Sequence, residues 1–326
     1  MTTRPALDLF TGYTVTAVLS SFETSGILDL LRDGATEDDL PDCPPQALRL
    51  RTACLDYLHQ RGLVEHDGPR TALTPFGHRI ARDKDYLTWL HGGYGVPLAA
   101  LPSLLDGTRH YGAAPRDGRV VARTSARIGA QSLLPAALDL LVPVSYDRVV
   151  DLGCGNARLL AKVCEAGRAH GVGVDISPEA CDEARHELAA RGLAEQVEIV
   201  CQDAFAVDDV PGINDTGLVM TFALLHEILG RGRPALTGFL NRLSALLPVG
   251  AHLLVMEVAP AGPEPGEHGV NPEFTLIHAL MGQTLLTAGQ WTDALSESGF
   301  ETTTVFYPPL HGSVLLLARN QGRSGR

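Results

Sequence analysis

Five continuous apolar runs, each separated from the next by a helical pattern, constrain the fold of this chain more than any other feature. The runs are DRVVDLG (147–153), GVGVD (171–175), QVEIVCQD (196–203), TGLVMTFALL (216–225) and GAHLLVMEV (250–258). Strands that are apolar on both faces are typical of parallel sheets covered by helices, and helical stretches at 157–168, 178–191 and 233–247 fill the gaps. The segment 300–320 predicts two further strands, antiparallel at one edge. The sequence therefore predicts an α/β fold with a Rossmann-like, seven-stranded sheet.

The first part of the chain has a mostly helical pattern. Apolar residues recur at helical spacing over 6–22, 44–61 and 120–141. Between these helices, RGLVEHDGPRTALT (61–74) contains two short runs that flank Asp67-Gly68, which predicts a hairpin after a helix. This order is typical of a winged helix. We therefore expect a mostly α-helical winged-helix domain over 1–118, used for dimerisation and for covering a substrate, and a second domain over 119–326.

Composition excludes several classes of partner. The 326 residues carry a formal net charge of -12, whereas nucleic-acid binding draws on Lys and Arg that meet phosphates. Six cysteines without a CxxC pair favour free thiols in a reducing compartment. The N-terminus has no signal-peptide pattern, and no apolar run approaches about 20 residues. We expect a cytoplasmic protein that binds a small molecule and neither nucleic acid nor a membrane.

Acidic residues stand at the ends of the first three strands of this sheet. VVDLGCGNARLL (149–160) joins a buried strand to a helix through Asp151, Gly153 and Gly155, and such glycines let the backbone turn tightly and approach a ligand. Asp175 ends the next strand, where a carboxylate suits ribose hydroxyls. Asp203 follows the third strand. Three acids in this order predict a ligand site at the carboxyl edge of the sheet.

With these motifs, residues 120–318 resemble the class I S-adenosylmethionine-dependent methyltransferases. The winged-helix pattern in front makes the whole chain similar to the small-molecule O-methyltransferases that form homodimers through their N-terminal domain. The resemblance implies that Asp151, Gly153 and Gly155 contact the amino-acid part of S-adenosylmethionine and that Asp175 contacts its ribose. It also implies that Asp203 and Phe205 contact the adenine. The remaining residues expected to contact this cofactor are Ile176, Ala204 and Thr221.

His226 and Glu227 follow the fourth strand, where the methyl donor and the acceptor should meet. In the O-methyltransferase family this histidine removes a proton from the acceptor hydroxyl, and the ordinary pKa of histidine suits that work. On this interpretation Glu227 caps the following helix at its positive end. One hypothesis is therefore metal-independent O-methylation of a small hydroxylated metabolite with His226 as the general base.

His278 supports a second hypothesis. It lies among apolar residues in NPEFTLIHALMGQTLLTAGQW (271–291) on a predicted helix, where a lone histidine is more often a core residue than a ligand. Two histidines and a carboxylate form a triad that holds a divalent metal, and His226, Glu227 and His278 resemble that of the α-keto acid C-methyltransferases of antibiotic pathways. Fe or Zn bound there would acidify the β carbon of an α-keto acid. We favour this C-methyltransferase hypothesis over O-methylation.

Residues 85–112 are rich in aromatic side chains and glycine. Apolar walls with few polar groups are typical of ligand pockets, and an arginine can clamp a carboxylate by two hydrogen bonds. The alternative role of the aromatic residues is packing, and that of the arginines is to lie on a solvated helix face. The candidate substrate-binding residues are Trp89, Tyr94, Tyr111, Arg123 and Arg127.

Two hypotheses of other classes complete the set. A DNA-binding regulator that senses S-adenosylmethionine would fit the winged helix, but the acidic chain and the lack of a basic cluster before the wing disfavour it. A non-methylating enzyme on the same scaffold is a further alternative, since a fold does not fix a function.

Overall fold

A computed structural model describes residues 4–113, 115–260, 272–308 and 312–322 of the protein. The chain divides into two units, Met1–Ile128 and Gly129–Arg326. The predicted turn between the last two strands includes residues 309–311, which lie outside the described residues. Within the described ranges, no helix is both long enough and apolar enough to cross a membrane.

The first unit is mostly helical, as predicted. Its last helix, α8, continues beyond the border into the second unit. Between α5 and α6 lies a π-helical segment, Trp89–Gly93. The helices are α1 (Pro5–Thr24), α2 (Ile27–Asp33), α3 (Pro45–Gln60), α4 (Pro75–Arg82), α5 (Lys84–Thr88), α6 (Tyr94–Ala99), α7 (Leu101–Leu105) and α8 (Gly118–Leu141).

The predicted hairpin is present after α3. Strands β1 (Val64–Asp67) and β2 (Arg70–Leu73) pair antiparallel. Gly68 has a φ of 58°, a left-handed conformation that glycine adopts at no steric cost. Helix α4 packs closely on this hairpin, because a Cβ atom on Gly77 would lie 2.1 Å from the carbonyl oxygen of Leu63.

The second unit contains the predicted seven-stranded sheet, in the order β5-β4-β3-β6-β7-β9-β8. The five strands from β5 to β7 are parallel, and β9 runs antiparallel to both of its neighbours. The strands are β3 (Arg148–Leu152), β4 (His170–Asp175), β5 (Val197–Cys201), β6 (Leu218–Phe222), β7 (His252–Val258), β8 (Phe300–Phe306) and β9 (Ser313–Asn320).

Helices cover both faces of this sheet. Successive strand residues point to opposite faces, so Val149 packs with the core formed by α8, α9 and α10, whereas Val150 packs with α11, α12 and α14. Both valines are fully buried, which explains the continuous apolar runs in the sequence. The helices are α9 (Arg158–Gly167), α10 (Pro178–Ala190), α11 (Leu225–Leu229), α12 (Arg233–Leu246), α13 (Pro272–Leu280) and α14 (Ala288–Glu297).

The order of the strands reverses between β3 and β6, and the fourth predicted strand ends earlier than expected. The apolar pattern extends to residue 225, but β6 ends at Phe222. Ala223 has a left-handed φ of 53°, and its N–H donates to the carbonyl oxygen of Met256. The chain then turns into α11, which begins at Leu225 beside the reversal point. Ligands of open α/β sheets bind at such a point.

The close approach of α4 to the hairpin gives a stability prediction. Substitution of Gly77 by Ala should lower the free energy of unfolding by about 1–3 kcal/mol, because the new methyl group must displace the backbone at Leu63. Urea denaturation followed by circular dichroism measures this change.

Gly238 provides the matched control. It lies within α12, and a Cβ atom there would contact nothing within 4 Å. Substitution of Gly238 by Ala should therefore raise the free energy of unfolding by about 1 kcal/mol through helix propensity alone. Equal effects of the two substitutions would contradict the packing described for α4.

Candidate active site

The turn after β6 places His226 and Glu227 in the first turn of α11. His226 is buried, with 6% of its surface exposed. The Glu227 side chain is 44% exposed. The two neighbouring residues therefore have different environments, and the histidine points into the protein.

A buried carboxylate from the next strand holds this turn. Glu257 of β7 is fully buried. Its Oε1 accepts hydrogen bonds from the N–H groups of Leu225, at 2.7 Å, and His226, at 3.3 Å. Its Oε2 lies 2.7 Å from Nδ1 of His226. A carboxylate oxygen accepts at this distance, so Nδ1 of His226 is the donor of the hydrogen bond.

Glu227 lies in the first turn of α11, as expected of an acidic residue at the positive end of a helix. The sequence pattern did not predict Glu257, whose carboxylate accepts the first N–H groups of the same helix. The available signal was a glutamate inside the otherwise apolar strand HLLVMEV, because a buried charge in a sheet requires partners.

His278 lies beside His226. Both histidines are buried, and their ring centroids are 5.5 Å apart at an interplanar angle of 80°. Nδ1 of His278 is 2.7 Å from the carbonyl oxygen of Phe274, one turn earlier in α13. Burial lowers the pKa of His278, an effect that the hydrogen bond to Phe274 opposes. The ring therefore favours its neutral form, with the lone pair on Nε2.

Glu227 completes this group. Its Oε1 lies 3.7 Å from Nε2 of His226. Its Oε2 accepts a hydrogen bond of 2.9 Å from Nε2 of Gln283, a residue just beyond α13 that no sequence pattern predicts as part of a site. The structure thus brings together the three residues that the sequence predicted as a site.

The two histidines have the outer contacts of metal ligands. Such histidines commonly donate their second ring N–H to a carboxylate or a backbone carbonyl, as His226 does to Glu257 and His278 does to Phe274. Among the described residues, however, no three His, Cys, Asp or Glu side chains are arranged so that they could hold a metal ion as they stand. A metal at this place therefore stays a prediction.

The predicted cofactor residues lie at the carboxyl edge of the sheet. Asp151 on β3 is buried, and burial, together with the charge of Asp175, raises its pKa to about 7. Oδ1 of Asp151 and Oγ1 of Thr221 are buried without a hydrogen-bond partner in the described structure. The two residues lie on adjacent strands, since Leu152 pairs with Thr221. Buried polar atoms normally have partners, so this edge is fitted to receive polar groups of a ligand.

The glycine loop after β3 is open and is bound to the next strand. Gly153 and Gly155 have φ values of 79° and 53°, and a Cβ atom on Gly155 would contact nothing within 4 Å. The N–H of Gly155 donates to Oδ2 of Asp175, at 2.9 Å, while Oδ1 accepts from Ser177. Ile176, between them, is 67% exposed. The loop therefore leaves space beside the first two acidic strand ends.

The third acidic strand end has hydrogen-bond partners within the protein on both of its oxygens. Oδ1 of Asp203 accepts from the N–H of Phe205, at 2.9 Å, and Oδ2 accepts from Nη2 of Arg231, at 3.0 Å. Burial raises the pKa of Asp203, but these two hydrogen bonds outweigh it and lower the pKa overall. The ring of Phe205 is stacked on Phe239, with centroids 6.1 Å apart, and Cζ of Arg231 lies 5.0 Å from the Phe205 centroid. Ala204 is buried.

The candidate aromatic residues of the first unit pack against one another and against Arg116. Trp89 and Tyr94 are buried, with ring centroids 4.6 Å apart. The hydroxyl of Tyr94 accepts from Nη1 of Arg116, at 3.3 Å, and that of Tyr111 accepts from the Arg116 N–H, at 3.2 Å. Their role in substrate binding stays a prediction.

The two candidate arginines differ in their surroundings. Nη1 of Arg127 lies 2.8 Å from Oε1 of Glu23 and 3.4 Å from Oδ1 of Asp85, so two carboxylates of the first unit hold it. Arg123, one turn earlier in α8, is exposed. The role of either arginine in binding a substrate carboxylate stays a prediction.

Comparison with known proteins gives consistent matches. Residues 149–247 match a family model described as a methyltransferase domain. The 2-ketoarginine methyltransferase of Streptomyces arginensis is 29% identical over 314 residues, which cover 92% of this chain and 89% of that protein. The indolepyruvate C-methyltransferase of Streptomyces griseus is 26% identical over 327 residues, covering 97% and 95%. The aklanonic acid methyltransferase DauC of Streptomyces sp. (strain C5) is 30% identical over 166 residues, covering 49% and 69%.

A solved structure agrees with the fold. The structure of the mitomycin 7-O-methyltransferase MmcR matches with a TM-score of 0.70 at 16% identity, covering 97% of this chain and 96% of that chain. At 16% identity, this match is evidence for the fold alone. The residues matched by the methyltransferase-domain model include Asp151, Asp175 and Asp203. The fold, this match and the relatives together show that the chain belongs to the class I S-adenosylmethionine-dependent methyltransferases.

Proposed function

We propose that this methyltransferase transfers a methyl group to the β carbon of an α-keto acid in natural-product biosynthesis. The observation that carries the proposal is the pair of buried histidines, His226 and His278, with Glu227 beside them. The names of two relatives support it, because 2-ketoarginine and indolepyruvate are both α-keto acids. An acceptor of this class is small and carries a carboxylate, a group that arginine side chains bind by two hydrogen bonds.

The proposal includes a divalent metal, Fe or Zn, held by His226, Glu227 and His278. The Nδ1 contacts of both histidines fit this role, since metal-bound histidines commonly donate their other ring N–H to a carboxylate or a backbone carbonyl. Bound there, the metal would act as a Lewis acid on the keto acid and lower the pKa of its β carbon.

The residues around this group would orient it. Glu257 fixes the ring of His226 through Nδ1, and its burial keeps that contact away from water. Gln283 holds one oxygen of Glu227 and leaves the other towards His226. Methyl transfer from a sulfonium needs alignment of nucleophile, methyl and sulfur more than covalent help. A site held by such fixed contacts supplies that alignment.

We assign S-adenosylmethionine to the carboxyl edge of β3, β4 and β5. Oδ1 of Asp151 and Oγ1 of Thr221 would accept from the amino-acid part, beside the open loop at Gly153 and Gly155. Asp175 and Ile176 would contact the ribose, and Asp203, Ala204 and Phe205 the adenine. A cationic ammonium next to Asp151 offsets the cost of burying that carboxylate.

The second candidate function is metal-independent O-methylation of a small hydroxylated metabolite. The contact between Glu257 and His226 favours it, because a buried carboxylate that orients an imidazole and stabilises its cation is the arrangement of a general base. On this hypothesis Nε2 of His226 takes the hydroxyl proton, and Glu257 stabilises the charged ring.

We further propose that the protein is a homodimer formed by the first unit. Helix α1 exposes large apolar side chains, among them Leu9, Phe10 and Tyr13, which are 77%, 68% and 70% exposed. A cavity of about 510 Å³ lies between α1 and α3 and is lined mostly by apolar atoms, including those of the exposed Leu50. Exposed apolar patches of this kind mark protein interfaces. The dimerisation implied by the family resemblance makes a second copy the expected partner.

The raised pKa of Asp151 makes cofactor binding pH-dependent. Without ligand, Asp151 is protonated below about pH 7, and the cofactor's ammonium favours the carboxylate. Binding of S-adenosylmethionine should therefore release a proton, and the affinity should be about tenfold weaker at about pH 6 than at about pH 8, levelling off above the pKa. Calorimetry in two buffers of different ionisation enthalpy measures both effects. Asp151→Asn should abolish the proton release, and a pH-independent affinity of the parent would contradict this assignment.

Metal content tests the proposed chemistry. Elemental analysis of untagged parent should give near-stoichiometric Fe or Zn, and the His226→Ala, His278→Ala double variant should contain none. His59→Ala, His66→Ala is the matched control, since those two exposed rings are 4.7 Å apart and outside the site. The control should keep the metal of the parent.

The two candidate functions also differ in the acceptor. The parent without S-adenosylmethionine should exchange the β hydrogens of a 2-oxo acid for deuterium, and the double variant should not. A metal-free parent that binds S-adenosylmethionine, methylates phenols or alcohols and performs no such exchange would refute the keto-acid proposal and return His226 to the role of a base.

The dimer proposal predicts the effect of a charge on α1. Phe10→Glu should convert the protein from dimer to monomer in size-exclusion chromatography with light scattering, because burial of an unpaired carboxylate in an apolar interface is costly. Leu105→Glu is the control, since Leu105 is 83% exposed on α7, a different helix of the unit. A monomeric parent would refute the proposal.

A further inference from the structure

Arg231 covers the part of the sheet edge to which we assign the adenine. It lies between α11 and α12, and its side chain is 51% exposed. Its Nη2 is 3.0 Å from Oδ2 of Asp203, and its Cζ lies over the ring of Phe205. One arginine thus contacts both the carboxylate and the aromatic ring of this subsite.

Other contacts within the protein use part of the remaining surface of Phe205 and Asp203. Phe239 is stacked on Phe205 at an interplanar angle of 18°, within the core. Oδ1 of Asp203 accepts from the N–H of Phe205. An adenine that stacks near Phe205 and donates its exocyclic amine to Asp203 needs the acceptor oxygen and the ring surface that Arg231 now uses. Guanidinium and adenine are both flat groups that donate hydrogen bonds and stack on aromatic faces, so one can replace the other.

We propose that Arg231 is a latch on the adenine subsite, which adenine must displace when the cofactor binds. This inference rests on the proposed placement of the cofactor. The Asp203 side chain is 42% exposed, and exposed ion pairs contribute little to stability, so the contact can open and close readily. In the absence of cofactor, Arg231 donates the hydrogen bond that Oδ2 of Asp203 accepts. When adenine arrives, its amine replaces the guanidinium at Oδ2.

Calorimetric titration with adenosine and with S-adenosylhomocysteine tests the latch. Neither ligand carries the sulfonium charge, so removal of a positive residue does not favour them through simple charge repulsion. Arg231→Ala should bind both ligands about two- to fivefold more tightly than the parent, the range expected for loss of one exposed ion pair. In an Asp203→Asn background, where the ion pair is already broken, the same substitution should change the affinity by less.

Arg233→Ala is the matched control. Arg233 lies two residues away, is 42% exposed, and has its own exposed partner, Glu297, at 3.3 Å. The control removes the same charge and should leave both affinities unchanged. Unchanged or weaker binding by Arg231→Ala, with urea denaturation like that of the parent, would overturn the latch alone. A parent that binds neither ligand nor S-adenosylmethionine would overturn the cofactor assignment itself.

Discussion

The candidate active site depends on a single buried carboxylate. Glu257 on β7 has no exposed surface, and its two oxygens accept from two N–H groups of α11 and from the ring of His226. A buried charge is tolerated only when such donors surround it. The same carboxylate therefore joins β7 to the start of α11 and orients the ring of His226 through Nδ1. A substitution of Glu257 would change the start of the helix and the orientation of the histidine together.

The sheet could be predicted from sequence because its signal is local. Strands buried on both faces appear as continuous apolar runs, and the three acidic residues lie at or just after the ends of β3, β4 and β5. The end of β6 was misjudged, because Leu224 and Leu225 continue the apolar pattern while Ala223 turns the chain through a left-handed φ. That turn depends on a hydrogen bond to Met256, far along the sequence.

The partners of the site were harder to predict than its central residues. His226 and Glu227 stand out at the end of an apolar run, and His278 stands out on an apolar helix. Glu257 and Gln283 contact them from other elements, and their roles exist only once the sheet has formed. Arg231 was missed for the same reason: an arginine in a polar loop has no distinguishing pattern until it lies over Phe205. Hydrophobic periodicity in the sequence identifies helices and strands, whereas the roles of the site residues depend on hydrogen bonds between those elements.

The π-helical segment Trp89–Gly93 sets the rotation of the helical residues that follow it in the first unit. Its hydrogen bonds join residues i and i+5 instead of i and i+4, so a π turn holds more residues than an α turn. Each residue of an α-helix advances the rotation by about 100°. Removal of one residue here would turn the ring of Tyr94 away from that of Trp89, whose centroid lies 4.6 Å away. The number of residues in this segment is therefore what brings the two buried rings together.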